Sequence, residues 1–176
     1  MICLNIVSGP GSHWKLGPLG HEIRCGDARS HQDVEKLLRG AQADMAFVDK
    51  PYNISIPGLA GGRGAIKHDE FATGSGEMTR EAFRAFTRET DGVLAGAVRN
   101  GGIVYSCIDW RSVDLFLAVA REIFGTLLTI VVWNKPNAGQ GSFYRSQHEF
   151  ILVLKVGDGH LCWRHTDWAG RRYPHY

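Results

Sequence analysis

No run of apolar residues in the 176-residue sequence approaches the ~18 that a membrane-spanning helix needs, so such a span is excluded by length. The apolar stretch near the start is broken by Ser8-Gly9-Pro10-Gly11, and no signal-peptide pattern survives that interruption. Cysteine is scarce. Cys3, Cys25, Cys107 and Cys162 are too scattered for a disulfide framework or a zinc site, and two of them lie in apolar, strand-like runs. Reduced, buried thiols in a cytoplasmic protein are the expectation. A strong charge of one sign is lacking as well: the net charge of +2 permits an anionic partner without demanding one. No internal repeat is present, and His160-Leu161-Cys162-Trp163-Arg164-His165 offers ligand types without a metal-ligand spacing, so no metal is expected. What remains is an ordinary globular composition, 44% hydrophobic and 22% charged, with the length of one domain.

Glycines 9, 11, 17 and 20 with prolines 10 and 18 make residues 1–20 read as a linker or lead-in. His21–Cys25 alternates like a short strand. Ser30, with Asp33 three residues on, predicts a helix through Leu38 that Gly40 closes. A short apolar strand over Met45–Asp49 follows. Residues 54–78 are glycine-rich and read as a long surface loop of the kind that carries function. Thr79 predicts the next helix cap, with a buried stripe of Phe83, Phe86, Val93, Leu94 and Ala97, a solvated face of Arg80, Arg84 and Arg88, and an end at Asn100-Gly101. Strand Ile103–Ile108, a helix over 111–124, strand Leu127–Trp133, a polar loop and strand Phe150–Val156 complete the pattern. Strand–helix–strand alternation predicts an α/β fold with a mostly parallel sheet, and the last two strands, lacking a helix between them, predict a final antiparallel pair. Residues 158–176 read as a tail, which leaves 21–157 as the folded domain.

The stretch that organises this pattern is Ala43–Asn53. Pro51 ends the strand at Asp49, because it removes a backbone donor and drives Lys50 out of helical geometry. A carboxylate, a stiffened turn and an aromatic ring are thereby presented together at the carboxyl end of a strand, where open α/β sheets bind their ligands.

Asp49-Lys50-Pro51-Tyr52 resembles the Asp-Pro-Pro-Tyr motif of amino-group DNA methyltransferases. Further stretches match, in order, the methylase module of proteins that join a ParB-like domain to an N6-adenine or N4-cytosine methyltransferase: Trp14-Lys15-Leu16-Gly17, Cys25-Gly26-Asp27-Ala28, Gly74-Ser75-Gly76-Glu77-Met78, Asp109-Trp110-Arg111, Trp133-Asn134-Lys135 and Gly141–Glu149. The resemblance implies a partial Rossmann-like, S-adenosylmethionine-dependent fold acting on double-stranded DNA, with adenine N6 ahead of cytosine N4. It assigns the acceptor carboxylate to Asp49, an acceptor carbonyl to the Lys50 backbone, turn stiffness to Pro51 and stacking on a flipped base to Tyr52. Asn53, Phe143, Tyr144, Arg145 and His148 are expected at the substrate, with sheet-edge cover as the alternative for Phe143 and Tyr144. Glu149 beside His148 reads as a structural partner. Asp27 is expected at the cofactor's adenosine portion.

Two departures from the family stand out. Lys50 replaces the first proline, which predicts a looser turn and an ammonium that pairs with Asp49 and competes for the substrate's acceptor. The Phe-x-Gly-x-Gly cofactor signature is missing, which in permuted relatives follows the target-recognition region. The sequence therefore reads as a central fragment, completed by a C-terminal half or a second chain that covers the sheet edge. The rival readings are a non-catalytic DNA- or partner-binding remnant and a methyltransferase acting on RNA or a protein amide.

Overall fold

The computed structural model describes residues 8–54, 73–138 and 143–161. Two short strands, β1 (His13–Leu16) and β2 (His21–Arg24), pair antiparallel as a separate hairpin. The reading of 1–20 as a linker is thus corrected for part of its length. Gly17 and Gly20, both with positive φ, build the turn between two strands, and glycines that promise a lead-in here serve a hairpin. Helix α1 (His31–Leu38) starts on Ser30, whose hydroxyl accepts from the Asp33 amide at 3.2 Å, and ends on Arg39 and Gly40 in the left-handed region.

The main sheet has four strands in the order β3 (Ala43–Asp49), β4 (Val98–Ile108), β6 (His148–Lys155), β5 (Thr126–Asn134). β3 and β4 are parallel; β6 runs antiparallel to both β4 and β5. The α/β class and the final antiparallel pair are as expected. The parallel β3/β4 pair is joined by helix α2 (Arg80–Ala97), capped by Thr79, which accepts from the Ala82 amide at 3.2 Å. α2 stops at Ala97 rather than at Asn100-Gly101. The β-branched Val98 turns extended and joins β4 directly, opposite Ala43. A single 3₁₀ turn, Trp110–Ser112, then leads into helix α3 (Val113–Ile123).

Side chains alternate across a strand, so each residue of the sheet belongs to one of two faces. Val104, Ile108, Leu152 and Leu154 lie on the face that meets Phe83 of α2 and Phe116, Val119 and Ala120 of α3, and together they form the core. Met45 and Phe47, on the opposite face of edge strand β3, are exposed, as are Val131 and Trp133 of β5. The α2 stripe also differs from the sequence reading, because Thr87, Thr90 and Asp91 are buried alongside Phe83 and Val93. Each threonine hydroxyl donates to a carbonyl one turn back, at 2.9 Å, which satisfies it internally. Arg80, Arg84 and Arg88 are not simply solvated, since they pair with Asp114 and Glu122 of α3. Cys107 is buried as expected, whereas Cys25 is exposed. Cys3 and Cys162 lie outside the described residues. Among the described residues, no helix is long and apolar enough to cross a membrane.

Candidate active site

Strand alternation decides where the central motif points. Asp49, opposite Cys107 of β4, lies on the face turned away from α2 and α3 and is exposed. Lys50 follows by one position and therefore turns to the core face. It is only 4% exposed, and its ammonium pairs with Asp91 of α2, itself 2% exposed. The Lys50 Nζ also lies 4.5 Å from the centre of the Phe116 ring. The expected Lys50–Asp49 pair is therefore not formed, and the ammonium does not compete for the Asp49 carboxylate. Burial pulls the Lys50 ammonium below its ordinary range and pushes the Asp91 carboxyl above its own, while their mutual attraction opposes both shifts.

On the face opposite the core a small polar network surrounds Asp49. The Tyr52 hydroxyl donates to Asp49 Oδ1 at 2.6 Å and lies 3.5 Å from Glu149 Oε2 at the start of β6. Burial, and then its bond to Asp49, raise the phenol well above its usual range, so it remains a donor. The Tyr52 ring packs against the core cluster, an orientation that makes it an orienter of Asp49 in this structure, where the sequence predicts a stacking platform. Among the described residues no donor is bonded to Asp49 Oδ2. Lys135, just past β5, donates to Glu149 Oε1 at 2.5 Å. The Cys107 thiol is pushed up to about 11 by burial and then by the negative charges of Asp49 and Glu149, so it stays neutral. Glu149 and Lys135 escape a reading of the motif alone. The usable signal is alternation along β6, which puts Glu149 on the face opposite Phe150 and so on the face of Asp49.

Asn53 adopts a left-handed φ of 55° and acts as a clamp. Its Oδ1 accepts from the Gly76 and Met78 amides, both at 3.1 Å, and its Nδ2 donates to the Met78 carbonyl at 2.9 Å. Both ends of the Asn53 amide are thus engaged by the backbone of this segment. Glu77 completes the segment by accepting from the amides of Gly74 and Ser75, each at 2.6 Å. At Gly74 a Cβ would stand 2.6 Å from Pro51 Cβ, so only glycine lets this segment close over the motif.

Beyond the carboxyl end of β4 lies a cavity of about 420 Å³. Trp110 and Arg111 line one side, and Phe143, Tyr144, Arg145 and His148 the other. Phe143 and Tyr144 are 87% and 83% exposed, with their rings edge to face at 4.6 Å, so they do not cover the sheet edge. Arg111 stacks over Trp110 at 4.8 Å and donates to Asp109 at 3.0 Å. His148 lies 5.1 Å from the Phe150 ring. Asp27 is elsewhere: it follows β2 of the separate hairpin and is bound by Arg29 at 2.7 Å, which holds its carboxyl below the usual carboxylate range. It lines a different, smaller cavity of about 150 Å³ together with Asp33.

No family model matches the chain, and no curated protein matches it. Among solved structures, the crystal structure of an M1.HpyAVI–SAM complex is similar over 81% of this chain, at 14% identity and a TM-score of 0.47. The chain spans 55% of the length of that structure's chain. The site rests on its own geometry.

Proposed function

We propose that this chain carries the base-presenting part of an S-adenosylmethionine-dependent DNA methyltransferase that acts on an exocyclic amino group, adenine N6 ahead of cytosine N4. The observation that supports this reading best is Asp49: an exposed carboxylate at the carboxyl end of a parallel strand, oriented by Tyr52 through one oxygen, with no donor among the described residues on the other. Such an amino nitrogen is a poor nucleophile because its lone pair is delocalised into the ring. Asp49 Oδ2 and the Lys50 carbonyl would accept its two N–H bonds and favour a pyramidal nitrogen, so that preorganised acceptors stabilise the transition state. Asp49 is also the acceptor at hand for the proton the nitrogen sheds. The arginines and aromatic rings of the neighbouring cavity suit phosphate and a base drawn out of the duplex.

S-adenosylmethionine supplies the electrophilic methyl group when bound. Asp27 would take a ribose hydroxyl on a carboxylate whose two oxygens Arg29 already binds. The glycine-rich cofactor loop has no counterpart in the sequence, and the proposed activity is that of an assembly in which a further segment or a second chain supplies it. The test is transfer of a tritiated methyl group to duplex DNA by a complete chain that includes this segment. Asp49→Ala should lower the rate by ~10²–10³, the usual cost of one preorganised electrostatic contact. Near-normal transfer by Asp49→Ala would remove the assignment, and label entering RNA or protein in preference to DNA would redirect the substrate class.

A further inference from the structure

Lys50 occupies the position where the motif it resembles has a proline, and the structure gives it a partner that is distant in sequence. A proline there would fix φ of residue 50 through its ring, while Pro51 already restricts ψ of the same residue. What a lysine leaves loose must be held in another way. The Lys50 side chain runs into the core and ends between Asp91 and the face of Phe116, with almost no access to water. Asp91 sits on the buried stripe of α2, a helix fixed by its Thr79 cap and by Phe83 and Val93. Neither member of the pair can leave without stranding an unpaired charge in an apolar core.

We propose that Asp91 is a positioning residue: by pairing with Lys50 inside the core, it fixes the residue-50 carbonyl beside Asp49, the task a proline ring would perform at that position. Its consequence for catalysis rests on the methyltransferase reading above; its consequence for the turn does not. The pairing also makes positions 50 and 91 interdependent. Replacing Asp91 alone leaves an ammonium that must swing toward water and take the 49–53 backbone with it. Replacing Lys50 alone with proline leaves a buried carboxylate with no cation. Changing both removes the charges and restores a stiff turn.

Amide hydrogen exchange of segment 49–53 tests this on the 176-residue chain, with Asp91→Leu, Lys50→Pro, the double variant Lys50→Pro/Asp91→Leu, and Leu154→Ala as a control. Leu154 is a core residue toward the end of β6 remote from Glu149, so its loss weakens the fold without touching the turn. Asp91→Leu should speed exchange in 49–53 by about tenfold beyond the control, as a local opening does, whereas Lys50→Pro, whose ring holds the turn itself, and the double variant should stay within about threefold of the control and of the parent respectively. Exchange in Asp91→Leu no faster than in the control, or in Lys50→Pro or the double variant as fast as in Asp91→Leu, would overturn the proposal. In a complete, active chain Asp91→Leu should lower kcat with KM for DNA held, and the double variant should recover it; an unchanged kcat in Asp91→Leu would also count against the role. A parent that transfers no methyl group at all would sink the proposed function, and the exchange comparison would still decide the role of Asp91.

Discussion

On its inner side helix α2 offers Asp91 to Lys50; on its outer side Arg80, Arg84 and Arg88 reach Asp114 and Glu122 of α3. The groups are the same kinds of carboxylate and cation, and the surroundings differ. Outside, each partner keeps water as an alternative, and the pairs contribute little net stability. Inside, both partners have given up hydration, so the attraction between them mainly offsets what burial costs. The inner pair consequently acts less as a source of stability than as a constraint on where Lys50, and with it the turn after β3, can be. One helix thus uses ion pairs in two ways, and burial sets which.

The comparison is most exposed to a variant that breaks one half of the inner pair. Asp91→Ala should cost ~3–5 kcal/mol in denaturant unfolding, because it leaves an uncompensated ammonium in the core. A loss near that of an outer pair would erase the distinction. Lys50→Pro alone should destabilise as well, opposite to the gain of ~0.4–1 kcal/mol that proline gives where the native backbone accepts it and no partner is stranded. Lys50→Met/Asp91→Leu, which removes both charges at once, should be neutral or stabilising, by up to ~4 kcal/mol on the pattern of buried pairs replaced by apolar groups. On the outer side Glu122→Gln removes the acceptor of two arginines and should cost no more than ~1 kcal/mol, a loss that added salt should largely hide.

Phe143→Ala extends the contrast to a side chain with almost no burial. It should shift stability by no more than ~0.5 kcal/mol. Binding of single-stranded DNA, followed by fluorescence anisotropy, should weaken by ~1–3 kcal/mol if the ring stacks on a base. Undiminished binding would take Phe143 out of the interface. A last contrast concerns two thiols in unlike surroundings. Iodoacetamide at pH 8 should modify the exposed Cys25 well before the buried Cys107. Because the folded Cys107 pKa is raised, from 9 to about 11, its neutral form contributes stability fully present below pH 9 and lost as the pH rises through about 11. A flat unfolding midpoint across that window would show that the thiol is less buried than its place on β4 implies.

Local sequence determined a good deal of this. Ser30 and Thr79 announce two helices and both cap them through their hydroxyls. Pro51 ends β3 at Asp49, and the missing helix between β5 and β6 already requires their antiparallel pairing. The stripe read from apolar residues alone left out Asp91, although the spacing 83, 87, 91 puts it on the buried side of α2, where a cation has to meet it. Which cation did so is a tertiary matter. Lys50 and Asp91 are 41 residues apart, and Tyr52 and Glu149 are 97 apart. Alternation along β3 sends adjacent side chains to opposite faces, and only the assembled sheet and helices decide what waits on each: a carboxylate and an aromatic ring for Lys50, a phenol and a second carboxylate for Asp49. The hairpin of β1 with β2 escaped the sequence for a related reason, since its glycines permit a turn and a frayed end equally, and pairing with β2 settles the matter. A charge beside a charge in sequence is thus no evidence of a pair, because the backbone fixes direction over one residue and the fold fixes company over a hundred.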